Sequence, residues 1–141
     1  MLFLKKADYD IIIEHVLSKL PQEACGLIAG TEDAGAHDKR KYVQKVYLLR
    51  NTDESNEHFT MDPNEQLAAI KESRTSGYKI LGNFHSHPES PSRLSEEDKR
   101  LVFDLNMNYL IVSLMDIDKP VLKAFTVDAN KDTVEEAVEV I

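Results

Sequence analysis

Two histidines one residue apart, followed at once by a proline, constrain this chain more than any other feature. His85-Ser86-His87-Pro88 follows Lys79-Ile80-Leu81-Gly82-Asn83-Phe84, a short apolar-rich run set off by Gly77, and that composition predicts a strand. Side chains two residues apart on a strand point to one face. His85 and His87 therefore present two neutral imidazoles side by side, a good pair of zinc ligands. Pro88 has no N–H to give to a ladder, so the strand is expected to stop there. The loop Pro88–Leu94 then leads to Ser95-Glu96-Glu97-Asp98, the head of an apolar-periodic helix. A loop of that length can return Asp98 towards the histidines as a third, oxygen ligand. Three protein ligands and one open position is the pattern of a catalytic zinc site.

A plainer reading stands beside this one. Ser-x-x-Asp is the form of a capping box, so Ser95 and Asp98 can simply start a helix. Capping and metal ligation do not exclude each other.

The composite pattern is His85-x-His87-Pro88, then Ser95-x-x-Asp98, with Glu23-Ala24-Cys25-Gly26-Leu27 far upstream. It resembles the JAMM (MPN+, JAB-domain) family of zinc metalloproteases, in the short stand-alone form found in prokaryotes. No position of the core signature is missing. The resemblance implies an α/β fold: a three-layer sandwich around a mixed, curved β-sheet, similar to the cytidine deaminases. It implies Zn2+ held by His85, His87 and Asp98, with Glu23 as general base and Ser95 as hydroxyl donor to the oxyanion. Nothing else distinguishes Glu23 among the 25 acidic residues of the chain. Zinc in such a site brings the pKa of water down to about 7.

By the same resemblance, the bond attacked is a peptide or isopeptide bond at the C-terminal tail of a ubiquitin-like protein of the sulfur-carrier type. An extended tail is expected to add to an exposed sheet edge beside the metal. Asn83 and the loop from Glu89 to Arg93 flank the site. The alternative is a non-catalytic MPN-type scaffold or interaction domain, which the intact ligand set disfavours. A zinc deaminase is disfavoured because the Cys-x-x-Cys pair it needs is absent.

Length and composition fit this reading. A chain of 141 residues with 42% apolar and 30% charged content is expected to form a single domain over residues 1–141. No apolar run approaches a membrane span, and Met1–Lys6 lacks the order of a secretory signal. The lone cysteine excludes an intrachain disulfide and suits a reducing cytoplasm. Its small apolar neighbours suggest a buried, inert Cys25 rather than a nucleophile. A net charge of −8 argues against nucleic acid; Lys39-Arg40-Lys41 reads as a solvated strand entrance.

In chain order, Leu2–Leu4 suggests a first strand. Asp8 is placed to cap a helix to about Leu20, with Ile12, Ile13, Val16, Leu17 and Leu20 inward and His15 exposed. Cys25–Gly30 and Tyr42–Leu49 read as a hairpin across a turn-rich link. Arg50–Glu57 is polar and expected to be mobile, and His58–Met61 extended. Asp62-Pro63-Asn64-Glu65 is a strong helix start, with Leu67 and Ile70 inward and Gly77 closing the helix. A helix from Ser95 to about Asn106, strands over Tyr109–Leu114 and Val121–Val127, and a last strand within Val134–Ile141 complete an alternating order, which indicates α/β layers.

Overall fold

The computed structural model describes residues 1–33, 39–100 and 106–141. In order it forms β1 (Leu2–Leu4), α1 (Lys6–Ser18), β2 (Cys25–Asp33), β3 (Arg40–Leu49), α2 (Pro63–Thr75), β4 (Lys79–His87), α3 (Glu96–Arg100), β5 (Asn108–Ser113), β6 (Val121–Val127), β7 (Thr133–Glu136) and β8 (Val138–Val140). Residues 101–105, within the helix expected from Ser95 to about Asn106, lie outside the described residues, as does much of the link between β2 and β3.

The strands make one mixed sheet in the order β7-β6-β5-β4-β2-β3-β1-β8. β2 and β3 form the expected antiparallel hairpin. β4 lies between them and the rest of the sheet, antiparallel to β2 and parallel to β5. The C-terminal segment departs from the single strand expected of it. β7 pairs with β6 at one end of the order, while β8, only Ala137 away, pairs with β1 at the other. The sheet therefore curls until its two ends lie one residue apart. The Val-Glu-Val alternation announces extended backbone but cannot say which neighbour each half will take.

Alternation along the strands sends side chains to two faces. On one face α1 lays Ile12 and Val16 over Leu4, Ile28, Leu81 and Phe84. On the other, α2 sets Ala69 over Cys25, Leu27 and Leu49, and a separate cluster gathers Leu94, Tyr109, Ile111, Phe125 and Val127. The result is the mixed α/β sandwich around a curved sheet that the sequence suggests. Among the described residues no helix is long and apolar enough to cross a membrane.

Several local expectations give way to tertiary packing. Asp8 does not cap α1; the helix starts earlier at Lys6, with Lys5 before it making no side-chain cap. The Lys6 N–H instead donates to the Ile141 carbonyl, so sheet pairing sets the start. His15 is only 9% exposed, because position i+3 from Ile12 shares its face, and its ring meets the Cys25 carbonyl at 3.2 Å. Lys41 is buried, donating to the Asn106 carbonyl and to Asn108 Oδ1, both at 2.6 Å. Leu67 points outward at 52% exposure, because Ala69 and Ser73 are the buried residues of α2. Asp62 caps α2 as expected, accepting from the Asn64 and Glu65 N–H groups. Gly77 follows with φ +82, a conformation that glycine adopts without strain.

Candidate metal centre

β4 runs to His87 as expected and stops before Pro88. Both imidazoles face the side of the sheet away from α1, and both are buried. Ser86, between them, points the other way. Its Oγ accepts from the Ala24 N–H at 2.8 Å, and its own N–H donates to the Ala24 carbonyl at 3.0 Å. This pair of bonds fixes the backbone next to Glu23.

The loop after β4 is anchored at three points. His87 Nδ1 meets the Pro91 carbonyl at 3.0 Å, the Ser92 hydroxyl donates to the Val121 carbonyl at 2.6 Å, and the Ser113 hydroxyl donates to the Ser90 carbonyl at 2.7 Å. It delivers Ser95 and Asp98 as a reciprocal cap. The Asp98 N–H donates to Ser95 Oγ at 3.0 Å, and the Ser95 N–H donates to Asp98 Oδ2 at 2.9 Å. The capping reading is therefore realised. The same Oδ2 also lies 3.3 Å from His85 Nε2 and 3.1 Å from His87 Nε2, and the two Nε2 atoms are 3.1 Å apart.

That triangle suits one metal ion. Tetrahedral zinc with ligands at about 2.0–2.1 Å has ligand–ligand edges of about 3.3–3.4 Å, within about 0.3 Å of the edges seen. Two imidazole nitrogens and a carboxylate oxygen form a donor set that zinc accepts. The Pro91 carbonyl takes the Nδ1 proton of His87, leaving Nε2 free to coordinate. His85 has no such partner: its Nδ1 is buried without a hydrogen bond, and its ring is instead stacked on Phe59 at 4.6 Å between centroids.

Glu23 closes the arrangement. Its carboxylate oxygen and the ring nitrogens of His85 and His87 lie within 4.8 Å of one another. Asp98 Oδ2 meets both rings at hydrogen-bond distance, whereas Glu23 stands beside them with no such bond. It is 4% exposed, and its Oε1 has no hydrogen-bond partner. Burial pushes its carboxyl up to about 8. Burial likewise holds His85 below the ordinary imidazole value, against the pull of Asp98. Burial works the same way on His87, but Asp98, the Pro91 carbonyl and Glu23 outweigh it and raise the group. Although burial opposes it, the two imidazoles hold the Asp98 carboxyl well below the usual carboxylate range.

The five residues singled out in the sequence come together here: Glu23, His85, His87 and Asp98 point at one spot, and Ser95 caps Asp98. Cys25 lies directly across from His85 on the neighbouring strand, yet it has the character expected of an inert thiol: it is fully buried, and burial pushes it up to about 12. The sequence reading passed over Asn51 and Phe59. The segment around Asn51 was expected to be mobile, yet Asn51 is buried and its side chain makes bonds to four backbone groups. Only the spacing of a polar residue before an extended Phe59 could have hinted at it. β4 is flanked by β2 and β5, so the strand carrying the histidines offers no free edge.

Comparison with known proteins points the same way. Residues 5–139 match the family described as prokaryotic homologs of the JAB domain. The chain is 35% identical over 83 residues to the desampylase of Pyrococcus furiosus, covering 59% of this chain and only 54% of that protein, about half its length. It is 25% identical over 130 residues to the CysO-cysteine peptidase of Mycobacterium tuberculosis, covering 92% of this chain and 84% of that one. The solution structure of a Desulfitobacterium hafniense protein superimposes with TM-score 0.89 at 45% identity, covering all of this chain and 93% of that chain. Signature, fold and site geometry agree with the family match, and the chain belongs to the prokaryotic JAB (JAMM-type) family.

Proposed function

We propose that this chain is a zinc-dependent peptidase that hydrolyses a peptide or isopeptide bond at the C-terminal tail of a ubiquitin-like, sulfur-carrier-type protein. The observation that carries the reading is the triangle of His85 Nε2, His87 Nε2 and Asp98 Oδ2, with edges of 3.1–3.3 Å, overlooked by the unpartnered Glu23 carboxyl. Relatives named for cleaving CysO-cysteine and TtuB–protein conjugates support the substrate class.

His85, His87 and Asp98 would hold zinc, which supplies Lewis acidity for water and carbonyl alike. Glu23, close by in a dry pocket, takes a proton from the attacking water as its oxygen bonds to the carbonyl carbon. It returns that proton to the departing amine nitrogen as the C–N bond breaks. The Ser95 oxygen accepts from the Asp98 N–H, which leaves the hydroxyl hydrogen free to donate to the developing oxyanion.

The test measures zinc content and conjugate cleavage together in Glu23→Gln. We expect full zinc occupancy with cleavage reduced at least a hundredfold, the lower range for a lost general base. Zinc retained with cleavage undiminished removes Glu23 from this role. Wild-type protein purified without chelator that carries no zinc removes the reading altogether.

A further inference from the structure

Two clefts meet beside His85. One, of about 310 Å³, lies over the candidate metal centre against Phe59, Met61 and Leu94. The other, of about 510 Å³, runs from it between α2 and the start of β4 and β5, past Leu27, Ile70, Ile80 and Met107. They form one groove because this face of the sheet is covered by two separate clusters, one under α2 and one around Tyr109. Gly82 of β4 lines the seam between them. A Cβ there would stand 1.9 Å from the Asn108 carbonyl oxygen, so the seam cannot be filled by a side chain at this position.

Gln66 from α2 and Asn83 from β4 both line the junction of the clefts. Neither side-chain amide has a hydrogen-bond partner among the described residues, whereas the neighbouring amide of Asn51 is fully engaged. A carboxamide offers both donor and acceptor, the same complement as a peptide unit. The main chain of β4 is spent on its two neighbours. An extended peptide lying in the seam therefore cannot complete its bonds on that strand, and side chains must supply them.

We infer that Gln66 and Asn83 are positioning residues that grip the main chain of an extended peptide in this groove and hold it in line with the metal centre. The inference rests on the proposed function for the identity of that peptide as a carrier tail. The groove follows α2 from Gln66 to Arg74, roughly 12 Å, which an extended peptide spans in about four residues. Recognition through main-chain groups favours a tail poor in side chains, because bulk at the junction would lift the peptide away from both amides.

The test titrates the 15N-labelled, zinc-loaded full chain with the peptide acetyl-Ser-Gly-Gly-Gly bearing a free carboxylate. We expect the side-chain amide signals of Gln66 and Asn83 to shift and saturate together. Gln66→Ala and Asn83→Ala should each weaken binding roughly threefold to tenfold, the range for one neutral hydrogen bond. Replacing one glycine by N-methylglycine should weaken binding to the wild type but add little in the variants. With a carrier conjugate, the variants should raise KM and leave kcat and zinc content unchanged. Asn83→Asp and Gln66→Glu, which keep an acceptor but lose the donors, should fall with the alanine variants. Amide signals that stay still, or alanine variants with wild-type affinity and KM, overturn the inference. A protein that binds the peptide through both amides but hydrolyses no conjugate leaves the contact standing and removes the proposed function.

Discussion

The side-chain amide of Asn51 donates to the carbonyl of Glu23 at 3.0 Å. It also donates to the His58 carbonyl at 3.1 Å, while its oxygen accepts from the Asp53 and Thr60 N–H groups. One buried residue thus ties the candidate base to the segment that stacks Phe59 on His85. Asn51→Ala leaves several buried backbone groups without partners, and it is expected to cost about 2–4 kcal/mol in denaturant unfolding. The same variant should lower kcat more than zinc affinity, because the ligands themselves hang from β4 and α3. Titration of the folded variant with zinc, alongside its turnover, checks the split.

Asp98 and Ser95 share a cap but should separate in function. Asp98→Ala removes a metal ligand, so zinc should be lost to a weak chelator that leaves the wild type loaded. Ser95→Ala removes only the hydroxyl. It should retain zinc, cost about 1 kcal/mol as a lost helix cap, and reduce kcat by about a hundredfold to a thousandfold as a lost oxyanion donor. Competition with a colorimetric chelator and steady-state kinetics on each variant decide it. Equal zinc loss in both would mean that the cap, not the carboxylate, governs binding.

Zinc binding should release protons. In the metal-free protein Asp98, the Pro91 carbonyl and Glu23 raise His87 against burial, and burial keeps Glu23 protonated up to about 8. A dication must displace the first proton and favours loss of the second. Calorimetric titration at pH 7 in buffers of different ionisation enthalpy should find between one and two protons released. Glu23→Gln should lower that number, and affinity should weaken as pH falls through the range where His87 is protonated.

The same buried carboxyl sets a pH dependence of stability. Glu23 is shifted from 4.5 to about 8, so the folded metal-free protein keeps a proton that the unfolded chain has already released. Its contribution to stability is intact below about 4.5 and fades as pH rises towards about 8. Gln does not titrate. After chelation, the melting temperature of Glu23→Gln relative to wild type should therefore climb between pH 5 and pH 8. Added zinc should shrink the difference, since a nearby dication favours the ionised carboxylate. A difference that is flat with pH would mean that the carboxyl is ionised throughout.

What could be read from the chain was mostly local. The two histidines, the proline that ends their strand, and the Ser95–Asp98 pair lie within fourteen consecutive residues, so strand alternation and helix capping suffice to aim them. Asp62 and Pro63 mark the start of α2 for the same reason. Glu23 was another matter: only likeness to a family pattern picked it out, because its approach to the histidines depends on β2 pairing with β4. The misses share that cause. His15 and Lys41 are polar residues buried by a sheet assembled from distant segments, and Leu67 turns outward because small residues bring α2 close to its support. Asn51 looked like loop filler until the groups it bonds, many residues away in Glu23 and nearby in His58 and Thr60, were brought around it.

The hand-over at Ala137 bears on how the molecule is made. Leu2 takes its partner from Val138 and Leu4 from Val140, so β1 cannot complete its pairing until β8, well over a hundred residues later in the chain, has been made. Until then β1 has only β3 beside it, and β6 lacks its outer companion. Seam closure must therefore come after β7 and β8 have been made and the strands between the two margins have paired. A single proteolytic nick at this joint would unfasten both margins together.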